Sequence, residues 1–392
     1  MKELKRYGIT LFLLLLLFFA AGQRPVSARE SDDSEGEYQQ IFDELLQESG
    51  ADRLFGQLPE DTQKLLEKNG IDGVDSQSVL ELDFWDILKG GWASLTSAAG
   101  QPVRTLAVTV GIILLCALLN SMKSSFQNQT FERMFSVVSV ICVSSALISP
   151  IARMIRDTAG LLKEMSDFLM GFIPVYVGIV TASGKPVSAM TCSAALIGVM
   201  QVISRLAATV LVPLLAVYMA ICLIGAACQE IDMSGISRMI KNVVVVTLTF
   251  LMTVFVGLLS LQGTIASSAD TVTVKTAKFA ISTFVPVVGG AISEAFNMVQ
   301  GGLGVIRSAV GAFGIISIAA AFLPPALSIL LMQGALAIAG GVSDALEVKQ
   351  VGTLMKSAAS VLSLLLSILL LFAVLFILSV SVMMALSGVS AG

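Results

Sequence analysis

Histidine is absent from the 392 residues. Its absence removes the commonest general base, the Ser-His and Cys-His nucleophile pairs and the usual nitrogen ligand of zinc. Charge is scarce too. Only 13% of residues are Asp, Glu, Lys or Arg, against about a quarter in soluble domains. There is no basic tract and the net charge is −4, which excludes nucleic acid as a partner. No Cys-x-x-Cys spacing occurs. Cys116, Cys142, Cys192, Cys222 and Cys228 lie in or at the ends of apolar runs, so they read as small buried hydrophobes, not as a disulfide frame or metal site. Gly301, Gly302 and Gly304 sit in an apolar context with no Gly-Lys-Ser/Thr after them, which argues against a phosphate loop. No cofactor is expected.

Apolar surface is what the chain has in excess. Hydrophobic residues make up 55% and the mean hydropathy is +0.87. A soluble core of this size cannot hide so much, so a bilayer must solvate part of the chain. The charges divide it into three regions. Residues 1–28 carry four bases and one acid, and resemble a secretory signal. Lys2, Lys5 and Arg6 form the charged start, Leu11 to Ala21 the apolar stretch, and Val26-Ser27-Ala28 the small residues before a cut after Ala28. Residues 29–100 follow as an acidic, extracytoplasmic helical segment. Between 29 and 89 there are 17 acids and 5 bases. Three short helices are expected there, near 38–48, from Pro59 to Lys68 with Gly70 as its stop, and near 76–89.

Residues 101–392 read as a polytopic membrane domain. A span needs about 20 apolar residues, so the uncharged runs amount to about eight spans, within a range of 7–10. The fold class is therefore all-α and polytopic. The run 308–343 is expected to break at Pro324-Pro325 into two short spans, and 186–229 to behave alike near Arg205 and Pro213. The stretch 152–167, with its charges, is expected as a loop.

An internal repeat accompanies these runs. An offset of 112 brings Lys163 onto Lys275, Phe172 and Pro174 onto Phe284 and Pro286, Gly178 onto Gly290 and Pro213 onto Pro325. The units cover about residues 157–262 and 270–386. Repeats with broken helices suit pores and carriers, because unwound backbone can be satisfied in a cavity. Phe172, Pro174, Pro213, Phe284, Pro286, Pro324 and Pro325 are thus candidate pore or helix-break positions. Arg205 joins them as the only charge between 186 and 229, either facing a path or reaching to a membrane surface.

One stretch is more specific. Residues 257–295 contain Ser260-Leu261-Gln262-Gly263, Asp270, Thr276-Ala277-Lys278-Phe279 and Phe284-Val285-Pro286-Val287. This stretch resembles the stage III sporulation protein AE family of endospore-forming bacteria. The resemblance implies a polytopic, non-enzymatic component of the apparatus linking mother cell and forespore. Its implied partners are membrane lipid and the other proteins of that set, including a cytoplasmic ATPase, with further copies of itself as a third kind. It brings no catalytic residues. An autonomous secondary carrier for a small solute is the alternative, disfavoured because no span contains a carboxylate pair.

Overall fold

The structure, a computed structural model, describes residues 46–47, 49–74, 99–122, 129–183, 186–227, 233–284 and 289–388. The signal-like start with Ala28 and the helix expected near 76–89 lie outside the described residues. Every regular element described is helical. Two 3-10 turns (Ala51–Arg53 and Phe55–Gln57) lead into α1 (Glu60–Lys68). Then come α2 (Gly100–Met122), α3 (Gln129–Ala182), α4 (Pro186–Leu206), a π turn (Ala207–Leu211), α5 (Val212–Ala227), α6 (Ser234–Phe284), α7 (Gly289–Ala345) and α8 (Lys349–Gly388). Among the described residues six rods are long and apolar enough to cross a membrane: α2, α3, α4 with α5, α6, α7 and α8.

The short helix shows how local signals set an element. Pro59 occupies the N-cap, and Glu60 and Asp61 sit in the first turn, where the helix dipole favours acids. At the other end Gly70 takes φ 81. Its N–H donates to the Glu67 carbonyl and the Ile71 N–H donates to the Leu66 carbonyl. That is a Schellman cap, and it is closed by burial of Leu66 and Ile71 against the same core.

Two expectations require correction. The charged stretch 152–167 is not a loop, because α3 runs unbroken for 54 residues through it, with Pro150 and Pro174 inside. The reason is periodicity. Ile151, Met154, Ile155, Thr158, Leu162, Met165 and Ser166 are buried at helical spacing, while Arg153, Arg156, Asp157, Lys163, Glu164 and Asp167 all face outward. The second correction is at Pro324 and Pro325. They do not separate two spans but lie inside α7, a single helix of 57 residues. Each proline lacks an N–H for the carbonyl four residues earlier, here Ala320 and Ala321. The buried neighbours on both sides of the pair keep the rod together.

At the centre stands α8. Val361, Leu362, Leu365, Ile368, Leu369, Phe372 and Phe376 are each no more than 1% exposed, so the helix is enclosed on almost every side. It packs against α7, α5, α3, α6 and α4. Antiparallel pairs α5–α6 and α7–α8 turn at the same end of the bundle. The hydroxyl of Tyr218, nine residues before the end of α5, donates to that of Ser360, eleven residues after the start of α8, at 3.2 Å. Higher up, a Cβ on Gly314 would lie 2.7 Å from the Phe172 ring and 3.4 Å from Val380. Gly314 is 31 residues before Ala345 and Val380 is 31 residues after Lys349. At 1.5 Å per residue this layer stands about 46 Å from the turns, well beyond a hydrocarbon thickness of about 30 Å.

Candidate functional site

The bundle therefore has two parts. The lower half holds the end of α5, the start of α6 and the turn at 346–348. The upper half contains the Phe172 layer, α4 and the docked residues 51–74.

In the upper half large aromatics fill the core. Phe168, Phe172 and Tyr176 form a ladder along α3 with 5.8 Å between successive rings. Phe372 and Phe376 of α8 meet edge to face at 5.9 Å, and Phe322 of α7 meets Phe376 at 5.8 Å. Phe172 is thus buried in the core, whereas Pro174, two residues on, faces outward within an intact helix. Glycine makes room for this packing. The Phe172 ring fills the notch at Gly314, and the Met384 side chain fills the notch at Gly311. The sequence reading missed both glycines. Their signal was a glycine every third residue amid large apolar neighbours, which suits close helix packing.

The N-terminal segment closes over the same region. Phe55 stacks at 6.5 Å from Phe313 of α7. The Gln57 side chain occupies the place a Cβ would take on Gly171 of α3. α1 packs on α7 as well. Residues 51–74 therefore clasp α3 and α7 together, about one helix length from the turns.

Arg205 and Pro213 flank the π turn. Both are exposed. Pro213 has no N–H to give the Thr209 carbonyl and its ring crowds that position, so the preceding turn widens. The Val212 N–H then reaches back five residues to the Ala207 carbonyl. Beside it the Thr209 hydroxyl donates to the Arg205 carbonyl at 2.6 Å, a back-bond of the kind that bends helices. No carboxylate pairs with Arg205 among the described residues. Phe284 is the last residue of α6, and Pro286 lies outside the described residues. Pro324 and Pro325 are half-buried in α7. The structure does not gather these positions into one cavity wall. Phe172 belongs to the core, while Arg205, Pro213 and Pro174 belong to the surface. Gly302 and Gly304 lie in α7 with open space around them.

A polar seam crosses the lower half. The Tyr218 hydroxyl meets Ser360, and Cys222 is flanked by Tyr218, Ser237 and Ser357. Cys116 and Cys222 are buried free thiols and Cys142 is an exposed one. At the α7–α8 turn Ser343 donates to the Val348 carbonyl at 2.7 Å, and Asp344 pairs with Lys356 at 2.8 Å. Asp344, though exposed, is thus half of a latch across the turn.

Exposed side chains differ between the halves. Below, the surface is large and apolar: Leu114, Leu115 and Leu118 on α2, Val138, Ile141 and Ile148 on α3, Val217 and Ile224 on α5, Val246, Phe250 and Val254 on α6. Above, the exposed residues of α3 include Glu164, Asp167, Gly178 and Thr181, and those of α4 include Ala194, Gly198 and Gln201.

Residues 73–387 match the family described as Stage III sporulation protein AE. The curated protein of that name from Bacillus subtilis (strain 168) is 23% identical over 228 residues, which are 58% of this chain and 57% of that protein. The match thus spans little more than half the length of that relative. No solved structure matches the chain. A many-helix membrane bundle and a family match over four-fifths of its length lead to one assignment: the chain belongs to the stage III sporulation protein AE family.

Proposed function

We propose that the protein is a non-enzymatic, multi-pass component of a sporulation-specific channel or secretion-like complex that connects mother cell and forespore. It serves forespore development after engulfment. The observation that carries this reading is the length of the rods. Val137–Ala182 and Gly302–Ala345 are 46 and 44 residues long, about twice what one bilayer needs. Such rods can hold a partner-bearing structure well away from the lipid. Its partners are the other proteins of the stage III complex, including a cytoplasmic ATPase, along with membrane lipid and further copies of the chain.

The protein resides in the mother-cell membrane around the forespore, with its N-terminal segment extracytoplasmic. Arg238, Lys241, Lys349 and Lys356 crowd the lower turns, as cytoplasmic flanks do. The clasp of residues 51–74 sits on the opposite half, which supports the same orientation. Deleting the gene should arrest development after engulfment and leave vegetative growth intact. Arrest of vegetative growth would refute this role. The purified chain in liposomes should accumulate no solute under a proton or sodium gradient. Robust accumulation would promote an autonomous carrier instead.

A further inference from the structure

We infer that the bilayer covers only the lower half of the bundle, and that the upper half stands in water as a headpiece, with the lipid phosphates of the outer leaflet at the depth of Arg205. The side on which it stands rests on the orientation proposed above. Its standing clear of lipid does not.

Three observations meet at one depth. First, Arg205 is 22 residues before Ala227, the end of α5. At 1.5 Å per residue that is about 33 Å, one hydrocarbon thickness. Second, α3 ends at Ala182 and α4 begins at Pro186 and packs against it, so residues equally far from those ends share a depth. Arg205 is matched by Lys163 and Glu164, both exposed and charged. On the same helix Arg153 and Arg156 begin two to three turns deeper, and arginine chains extend along a helix to reach phosphates. Third, the character of the exposed surface changes at this depth along a single rod. On α3, below Lys163, Val138, Ile141 and Ile148 are exposed, whereas above it Glu164, Asp167, Gly178 and Thr181 face outward; α4 mixes Ala194, Gly198 and Gln201 with exposed Met190 and Val202. The sequence of α6 changes in the same way. Residues 243–259 carry no charge, whereas 260–284 hold Ser260, Gln262, Asp270, Lys275 and Lys278. Both halves bury large apolar side chains, so the change concerns the solvent outside.

Lipid would have to cover Glu164, Asp167 and Gln201 if the membrane reached the Phe172 layer, at a cost of about 2.5–3.5 kcal/mol for a carboxylate at a helix centre. A boundary at Arg205 removes that cost for these three, leaves the exposed Asp157 about 9 Å below it beside Arg153 and Arg156, and turns the arginine into a phosphate ligand. The upper half then keeps its fold through its own aromatic core and the clasp of residues 51–74.

The test uses the full chain, with its native cysteines replaced, purified and placed singly in lipid nanodiscs. Single cysteines are introduced by Gly178→Cys, Ala194→Cys and Gly198→Cys above the boundary, and by Ala216→Cys and Ala220→Cys below it. All five positions are exposed on the bundle, so none disturbs the core. A water-soluble maleimide should modify the upper three at least about tenfold faster than the lower two, because thiolate formation needs water. Equal, slow modification at all five would overturn the inference. The same variants in intact cells then report the side. Labelling of the upper three without permeabilisation agrees with the proposed orientation. Labelling only after permeabilisation would leave the headpiece in place and overturn the orientation alone.

Discussion

The two halves of the bundle are built from the same rods, yet they meet their surroundings differently. In the lower half Phe250, Val246 and Leu115 stand on the surface with nothing of the chain over them. In the upper half comparable side chains such as Phe168, Phe172 and Phe313 are fully enclosed, and the exposed positions of α3 go to charged, polar and small residues, though Met190, Val202 and Val305 also stand on the surface. Helices in lipid associate by close packing, since lipid tails are as apolar as leucine. Helices in water gather their aromatics inside, because burial of apolar area is what holds them. The contrast teaches that hydropathy along a rod cannot locate a membrane, whereas the exposed side chains can.

The largest effect should come from emptying the upper core. Phe172→Ala should destabilise the fold by about 3–5 kcal/mol, since a fully buried ring would leave a cavity beside Gly314. Unfolding of the detergent-solubilised protein by heat would show it. A charge on the outward surface separates the halves most directly. Val217→Arg should cost about 2.5–3.5 kcal/mol of insertion energy and lower the amount of folded protein in membranes, whereas Gly198→Arg should cost next to nothing. Equal losses from the two variants, read by membrane fractionation, would erase the comparison.

A smaller effect is expected at the clasp. Gly171→Leu would drive a side chain into Gln57 and should cost about 1–3 kcal/mol by overpacking. Limited proteolysis should then cut residues 51–74 free while the helices stay protected. The Tyr218–Ser360 bond comes next, and Ser360→Ala should lose about 1 kcal/mol in the same thermal assay. Arg205→Lys should change least, because a lysine at a phosphate plane keeps the charge. If Arg205→Lys abolished sporulation while the protein still inserted, Arg205 would line a path instead of meeting lipid.

Much of this was legible in the residues. Pro59, Glu60, Lys68 and Gly70 gave the limits of α1 through capping chemistry, and long uncharged runs marked the helices that cross. The stretch 153–167 was misread because charge was weighed without period, although its buried residues recur at helical spacing. Pro324-Pro325 misled for a different reason. Proline removes hydrogen bonds, but neighbours packed on both sides hold a helix through the gap. Pro213 was read as a candidate pore or helix-break position; what stands before it is a widened turn, a local change of hydrogen-bond register that no hydropathy count weighs. The contacts of Gly314 with Phe172 and of Gly171 with Gln57 join residues more than a hundred positions apart, and pairings of that range are not written in local pattern.

The central position of α8 bears on how the protein is made. A ribosome delivers helices in chain order, and N-terminal parts ordinarily fold first. Here the helix that fills the middle is the last one described, so α3, α5, α6 and α7 must wait in the bilayer with their core-facing sides unoccupied. Those helices can be inserted one by one, each as a stable span, yet the bundle has no centre until α8 arrives. Biogenesis is then a two-stage affair with its decisive step at the close, and insertion factors or quality-control proteases would meet an open ring of helices for most of the synthesis time.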